Sequence, residues 1–531
     1  MLQNSNSQNS QNVNTTATRS HILSLSRTQK RLLLAAAAVS SICGLAVELL
    51  LGTLASYLVG NQALSYGVAV GGFLAAMGIG SYLSRFIATD TKSPLQQRQL
   101  LSAFVKVELL IAPLTALLPL GLFALFIIGG SLWLGLGLVT VVLGILAGLE
   151  VPLLTRVLEL EEGVRDALAG VLALDYLGAL LGSLAFPLLL LPLIGLFPAA
   201  FVLGALPAFM VFAIGRHFPR LRRWGYVGLA VAVLLCVLAP AAIPISNRLE
   251  NTLYQAPVIT RIQSSYQRIV LTRQGKDLRL FLDGDLQLST LDEYRYHEAL
   301  VHPAMSASSG KRRVLVLGAG DGMAVREVLK WSEVERVVLI ELDPEVVKLA
   351  RHHPQLVQVN GDALADSRVE VLNADAFVAV PELNETFDVI IADFPDPDRA
   401  ILAKLYTEGF YQRLLPRLAD GGVFVTQASS PFFAPDVLSC IVATLADVGL
   451  STHPYVVDVP SFGPWGFVLA SRQPIQSDTL KLPVPTRYLT EPILRHLFEL
   501  PKDIQLRDVE VNRLSHPVIV RYQSDPRWAT Y

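Results

Sequence analysis

Two acidic residues, Asp393 and Asp396 in Asp-Phe-Pro-Asp-Pro, follow the apolar run Val389 to Ala392. A carboxylate at the carboxyl end of a strand stands where open α/β sheets bind their ligands. Earlier in the chain, the apolar run Val314 to Leu317 breaks into Gly318-Ala319-Gly320-Asp321-Gly322 and continues with helical spacing. It returns to a second apolar run, Val337 to Ile340, closed by Glu341. That order is strand, glycine turn, helix, strand: a βαβ unit. The glycines let backbone approach a ligand closely, and a carboxylate about 20 residues on takes the hydroxyls of a ribose. By themselves the glycines serve equally well for a structural turn or a nicotinamide dinucleotide. The run lacks the full dinucleotide spacing, however, and Asp321 puts negative charge where a pyrophosphate would sit. A cationic nucleoside cofactor, such as the sulfonium of an S-adenosyl compound, suits that charge better.

These groups occupy only the second half of the chain. Of the 531 residues 52% are hydrophobic and 17% charged, and the apolar excess is confined to the first half. The composition therefore divides the chain into a membrane domain and a soluble one. Residues 1–18 are mostly Asn, Gln, Ser and Thr and read as a disordered tail, extended to residue 30. The long apolar run that follows has no cleavage site of the signal-peptide kind. Seven apolar stretches come next, at 32–59, 63–87, 107–128, 131–151, 168–194, 196–215 and 225–245. Each is near the ~20 residues that cross a bilayer. The small residues Gly71, Gly72, Gly78 and Gly80 suit close helix packing in lipid.

Glu48, Glu108, Glu150 and Asp175 lie within or at the edges of these stretches. Carboxylates in a membrane are costly and point to function by default. They would line a cavity for a cationic solute, or else sit near interfaces and pair with neighbours such as Lys106. Basic residues flank alternate links: Arg19, Arg27, Lys30 and Arg31 before the first stretch, Arg85, Lys92 and Arg98 after the second. Arg156 and Arg165 follow the fourth, and Arg216, Arg220, Arg222 and Arg223 follow the sixth. The positive-inside rule then makes the N-terminus cytoplasmic. Seven crossings would put the soluble domain outside, whereas a cofactor made in the cytoplasm calls for it inside. The formal charge of −2 gives no reason to expect nucleic acid. Cys43, Cys236 and Cys440 form neither a disulfide frame nor a zinc spacing.

From Ser246 onward strands alternate with polar loops, and Tyr266 to Val270 with Leu278 to Asp283 reads as a β-hairpin. The patterns YQxI, LDGxxQ, DExxYHExLxHP, VLxLGxGDGxxxREVLK, ExD and DVIIADxxDP then occur in that order. This ordered set resembles the spermidine synthase (polyamine aminopropyltransferase) family, in the form with an N-terminal multi-pass membrane region. The resemblance covers about residues 254–472, with a weaker echo from Tyr488 to Pro501. It implies a small β subdomain (247–310), then a doubly wound, methyltransferase-like (Rossmann-like) sheet (311–475) and a C-terminal extension (476–531), after a membrane domain at 31–246.

The implied co-substrate is decarboxylated S-adenosylmethionine, with no metal. Gln267 would contact its nucleoside end, Glu341 its ribose, and Asp375 with Ala376 its adenine, over the turn at Gly318 and Gly320. His297 and Asp321 would hold the amine and the aminopropyl arm. Asp393, the catalytic residue, and Asp396 would sit at the reacting amine. The chemistry agrees, because a primary amine is mostly ammonium at neutral pH and a carboxylate within reach can accept its proton as it attacks. Putrescine is the family's default acceptor, and dimers or tetramers are usual in it.

Three departures from the pattern stand out. Ala319 replaces a third glycine, Asp398-Arg399 replaces Gly-Pro, and Val459-Pro460-Ser461 lacks a tyrosine expected before Trp465. Two other readings stay open. One is a methyltransferase using intact S-adenosylmethionine; the other is a non-catalytic polyamine sensor or transporter, motivated by the membrane carboxylates.

Overall fold

The structure is a computed structural model that describes residues 25–59, 62–89 and 94–524. The expected disordered tail up to residue 24, with Arg19, lies outside the described residues, as do the Gly60-Asn61 link and Lys92. Seven long helices open the fold: α1 (Arg27–Val59), α2 (Gln62–Leu83), α3 (Pro94–Ile127), α4 (Leu132–Glu162), α5 (Val164–Ala185), α6 (Leu196–His217) and α7 (Arg222–Leu253). All seven are apolar and long enough to cross a membrane, α5 with its continuation to Ile194. A helix bonds every backbone group within its own segment, which suits these sequences to an apolar solvent. Their outward faces carry large apolar side chains: Leu134, Leu193 and Val237 expose 75%, 76% and 67% of their surface. Several helices overrun the apolar stretches. Thus α3 starts at Pro94 rather than 107, and α7 continues to Leu253 rather than 245.

Of the four glycines expected at helix contacts, only Gly80 makes a close one. A Cβ there would lie 2.1 Å from the Ile145 carbonyl oxygen of α4. Gly71 and Gly78 face open space, and Gly72 would make only an ordinary contact with Thr140. The close seam runs along one face of α2, so its glycines do not share it. Glu48, Glu108 and Glu150 are buried and Asp175 is partly so. Lys106, expected as a partner, instead sits 5.9 Å from the centre of the Trp224 ring.

The joint to the soluble half is short and bonded. Asn251, near the end of α7, accepts hydrogen bonds through Oδ1 from the Val258 backbone N–H at 3.0 Å and from the Arg261 guanidinium at 3.1 Å. Tyr254 packs its ring 4.7 Å from that of Phe281. An antiparallel sheet follows, ordered β1-β2-β3-β4: β1 (Val258–Gln263), β2 (Arg268–Gln274), β3 (Asp277–Leu282) and β4 (Asp285–Ser289). Helix α8 (Glu293–Ala307) leads into the main sheet.

That sheet comprises β5 (Arg313–Gly318), β6 (Arg336–Glu341), β7 (Val369–Asn373), β8 (Phe387–Asp393), β9 (Leu418–Gln427), β10 (Ser451–Val459) and β11 (Gly463–Ser471). Their order is β10-β11-β9-β8-β5-β6-β7, parallel throughout except that β11 runs antiparallel to both β9 and β10. Strand β5 is apolar without alternation because both faces are covered. Val314 and Val316 enter one core, Leu315 and Leu317 another. The strand order reverses at β5, and there Gly318 lies in register with Asp393 across β5 and β8, while Glu341 pairs with Asn373 across β6 and β7. Four strand ends thus open on one crevice, the place where such sheets bind ligands.

The C-terminal segment folds back on this frame. Buried Glu298 of α8 accepts three backbone N–H groups, from Arg487, Tyr488 and Leu489, at 2.6–2.9 Å.

Candidate active site

The crevice begins where β5 turns into helix α9 (Met323–Leu329). A Cβ at Gly318 would lie 2.2 Å from the Asp393 carbonyl oxygen, and one at Gly320 would lie 2.7 Å from the Glu341 side chain. Both glycines are therefore needed for strand and loop to close around the carboxylates. Ala319 adopts a left-handed φ of 57°, which strains an L-residue by about 1–2 kcal/mol. The loop keeps its shape with alanine where a third glycine was expected.

Glu341 sits under this loop. It accepts the Gly320 N–H at 3.2 Å and the Asp343 N–H at 2.9 Å. Burial lifts its carboxyl to about 7, against the pull of those two N–H groups. Gln267 reaches the same region from the small sheet, donating to buried Asp343 at 3.0 Å, and Ser264 donates to that oxygen at 2.7 Å. Asp375 caps helix α10 (Ala376–Glu382) by accepting the Phe377 N–H at 2.9 Å, and pairs with Lys404 at 2.6 Å. Ala376 is buried at the first position of that helix. The nucleoside residues inferred from the sequence therefore line the ends of β6 and β7, but Asp375 also has a structural task.

The second half of the crevice is more polar. The buried Tyr296 hydroxyl of α8 donates to Asp393 Oδ1 at 2.6 Å. Burial lifts Asp393 to about 6 and nearby Asp321 adds to this, while His297 and the Tyr296 hydrogen bond oppose it. Burial also holds the Tyr296 phenol well above its ordinary range, with Asp393 reinforcing it, so Tyr296 stays a proton donor. His297 lies beside Glu293, 2.8 Å from its carbonyl oxygen and 3.0 Å from its carboxylate. Burial pulls the imidazole down, but Glu293, Asp321 and Asp393 together outweigh it and raise it to about 9. At neutral pH it is thus a cation facing the acidic cluster. Asp321 turns one oxygen to the Met323 N–H at 2.9 Å.

Asp396 is the most densely bonded of the acids. It accepts from Ser429 at 3.1 Å, from Gln427 at 3.3 Å and from Gln523 at 3.0 Å. Burial lifts it to about 6, against the hydrogen bonds from Ser429 and Gln427. The structure therefore groups His297, Asp393 and Asp396 at one end of the crevice and Gln267 and Glu341 at the other, with Asp321 between them, near enough to raise both Asp393 and Glu341.

An aromatic wall closes the polar end. Trp465 stands 5.1 Å from Phe462 and 6.4 Å from Tyr296, ring centre to ring centre, and its indole N–H is buried without a partner. The loop before it is pinned by Asp292, which accepts the Ser461 N–H at 2.6 Å and its hydroxyl at 3.0 Å. Ser461 occupies the stretch where a tyrosine was expected, and a phenol enters from α8 instead. The Asp398-Arg399 departure also has a task. Arg399 pairs with Asp283 at 2.9 Å and Asp398 at 3.3 Å, tying the loop after Asp396 to the β3–β4 turn.

Tyr296, Gln427, Ser429 and Gln523 were not inferred from the sequence. Tyr296 immediately precedes His297 inside DExxYHExLxHP, so the motif held its signal. Gln523 lies on a short helix, Ile519–Gln523, and nothing local marks it.

Residues 293–481 match the family model described as spermine/spermidine synthase domain. A polyamine aminopropyltransferase of Ralstonia nicotianae is 42% identical over 507 residues, covering 92% of this chain and 97% of that protein. One from Leptospira interrogans is 39% identical over 495 residues, covering 92% and 97%. Among solved structures, a spermidine synthase from Thermotoga maritima is 29% identical with a TM-score of 0.42, covering 46% of this chain and 85% of that one.

Proposed function

This chain belongs to the polyamine aminopropyltransferase family, and from that premise we propose that it moves the aminopropyl group of decarboxylated S-adenosylmethionine onto a primary amine such as putrescine. The product is a longer polyamine, and methylthioadenosine leaves. The observation that carries the reading is Asp393: a carboxylate at the switch point of the sheet, held by the Tyr296 hydroxyl and raised to about 6. A base poised just below neutral pH is ionised when it binds an ammonium, and it accepts the proton more readily than an ordinary aspartate.

In the transfer, the amine lone pair forms a carbon–nitrogen bond to the methylene beside the sulfonium. The carbon–sulfur pair leaves on sulfur as a neutral thioether, and the amine proton passes to Asp393. Asp396, with Gln427, Ser429 and Gln523 around it, would hold the far ammonium of the acceptor. Glu341 and Gln267 would take the ribose end, with Asp375 and Ala376 at the adenine. His297 would favour the ionised form of Asp393 by its charge. The acids also concentrate a polycation in the crevice. In this reading the membrane half seats the enzyme in a lipid bilayer.

The test is turnover by the full-length protein in detergent, with decarboxylated or intact S-adenosylmethionine and a panel of di- and triamines. Methylthioadenosine together with a longer polyamine, both lost in Asp393→Asn, is the expected outcome. Methylated amine from the intact cofactor would replace this reading with a methyltransferase.

A further inference from the structure

Two of the four membrane carboxylates meet at one small cavity. Glu108 on α3 and Glu150 on α4 line it with Ser40 of α1 and Thr115 of α3. Apolar residues such as Phe73 and Leu143 complete the wall, and the volume is ≈ 10 Å³, about that of one probe sphere, the least that holds a water. Glu48 and Asp175 do not line it. The four polar residues expose only 4%, 1%, 1% and 6% of their surface for Ser40, Glu108, Thr115 and Glu150. Helical spacing puts Glu108 and Thr115 on one face of α3.

The hydrogen bonds around this cavity do not close. The Ser40 hydroxyl donates to Glu108 Oε1, but Glu108 Oε2 and Thr115 Oγ are buried with no partner. An unsatisfied buried polar atom costs about 1–3 kcal/mol. A cation in the cavity would give Glu108 Oε2 and Thr115 Oγ the partner that each lacks. Mg²⁺ retains several waters, for which the space is too small, and an alkylammonium would bring a carbon chain. We propose that this cavity binds one small dehydrated monovalent cation, with sodium as the probe, held by Glu108, Glu150, Ser40 and Thr115. The membrane half then has an ion-binding activity of its own, and α1, α3 and α4 are joined through the ion.

The test is equilibrium binding of ²²Na⁺ by the purified full-length protein in detergent at pH 8, with choline as the replacement cation. Wild type should bind saturably near one ion per chain. Glu108→Gln and Thr115→Val should bind at least about tenfold more weakly, and Glu48→Gln should bind as wild type. Thr115→Val removes no charge, and monodisperse elution of each variant checks its fold. Absence of saturable binding in wild type overturns the proposal. So does equal binding by wild type and both cavity variants, or a response to acidification with none to sodium.

Discussion

Asp393 sits in a network whose charges set when it is ionised. Its carboxyl is raised to about 6, so the ionised form, the base of the proposed transfer, is lost as pH falls through that value. We expect kcat/KM for the amine to rise with pH along an acid limb near 6, measured by methylthioadenosine release. Asp393→Asn should lower kcat by about a hundred- to ten-thousand-fold. The linkage runs in the opposite sense from activity. A folded-state pKa above the unfolded value of about 3.9 means the contribution of this group to stability is present in acid and lost as pH rises through 6. Asp393→Asn should therefore melt above wild type at pH 8 and match it at pH 4. Tyr296→Phe removes a hydrogen bond that favours the ionised form. It should move the acid limb to higher pH and lower kcat/KM about tenfold. The positions of Asp393 and Glu341 at the crevice were legible in the sequence because each closes an apolar strand beside a turn. His297 was legible only as part of an ordered motif, and its neighbour Tyr296 was passed over because one position along a helix changes which way a side chain points.

At the scale of elements, the crevice is assembled from pieces far apart in the chain. The βαβ unit was readable because its period changes from strand to helix and back within one short run. The closing pieces were not: Gln427 ends β9 and Gln523 arrives from the C-terminal segment, and only folding brings them to Asp396. Their contacts are made across sheet and chain end, which no local pattern encodes. Gln523→Ala should raise KM for the acceptor about tenfold with little change in kcat, as expected for one hydrogen bond to a charged group worth about 1.5 kcal/mol. A steady-state series against amine concentration checks this. Motif residues also divide by task. Glu298 anchors the C-terminal segment, and His302 bonds Glu327 at 2.9 Å inside the core, so both serve structure within a sequence pattern that reads as catalytic. The helical contacts of Gly71 and Gly78 failed for a related reason, since hydropathy marks a span without marking its inner face.

For the whole molecule, the number of crossings decides where the ends lie. Seven crossings place residues 25 and 524 on opposite sides of the membrane. Fusing alkaline phosphatase to one end and a fluorescent protein to the other should give signals that report opposite compartments. Signals from the same compartment would mean that one of the seven helices does not cross. The soluble half is tied to this bundle at the joint, where Asn251 bonds both Val258 and Arg261. That clamp restricts the symmetry open to any assembly. Copies whose catalytic halves share one side of a bilayer can be related only by a rotation axis along the membrane normal. Dihedral tetramers require two-fold axes in the membrane plane, which would turn some copies upside down. A dihedral assembly of the catalytic halves would therefore require the joint at Asn251 to open.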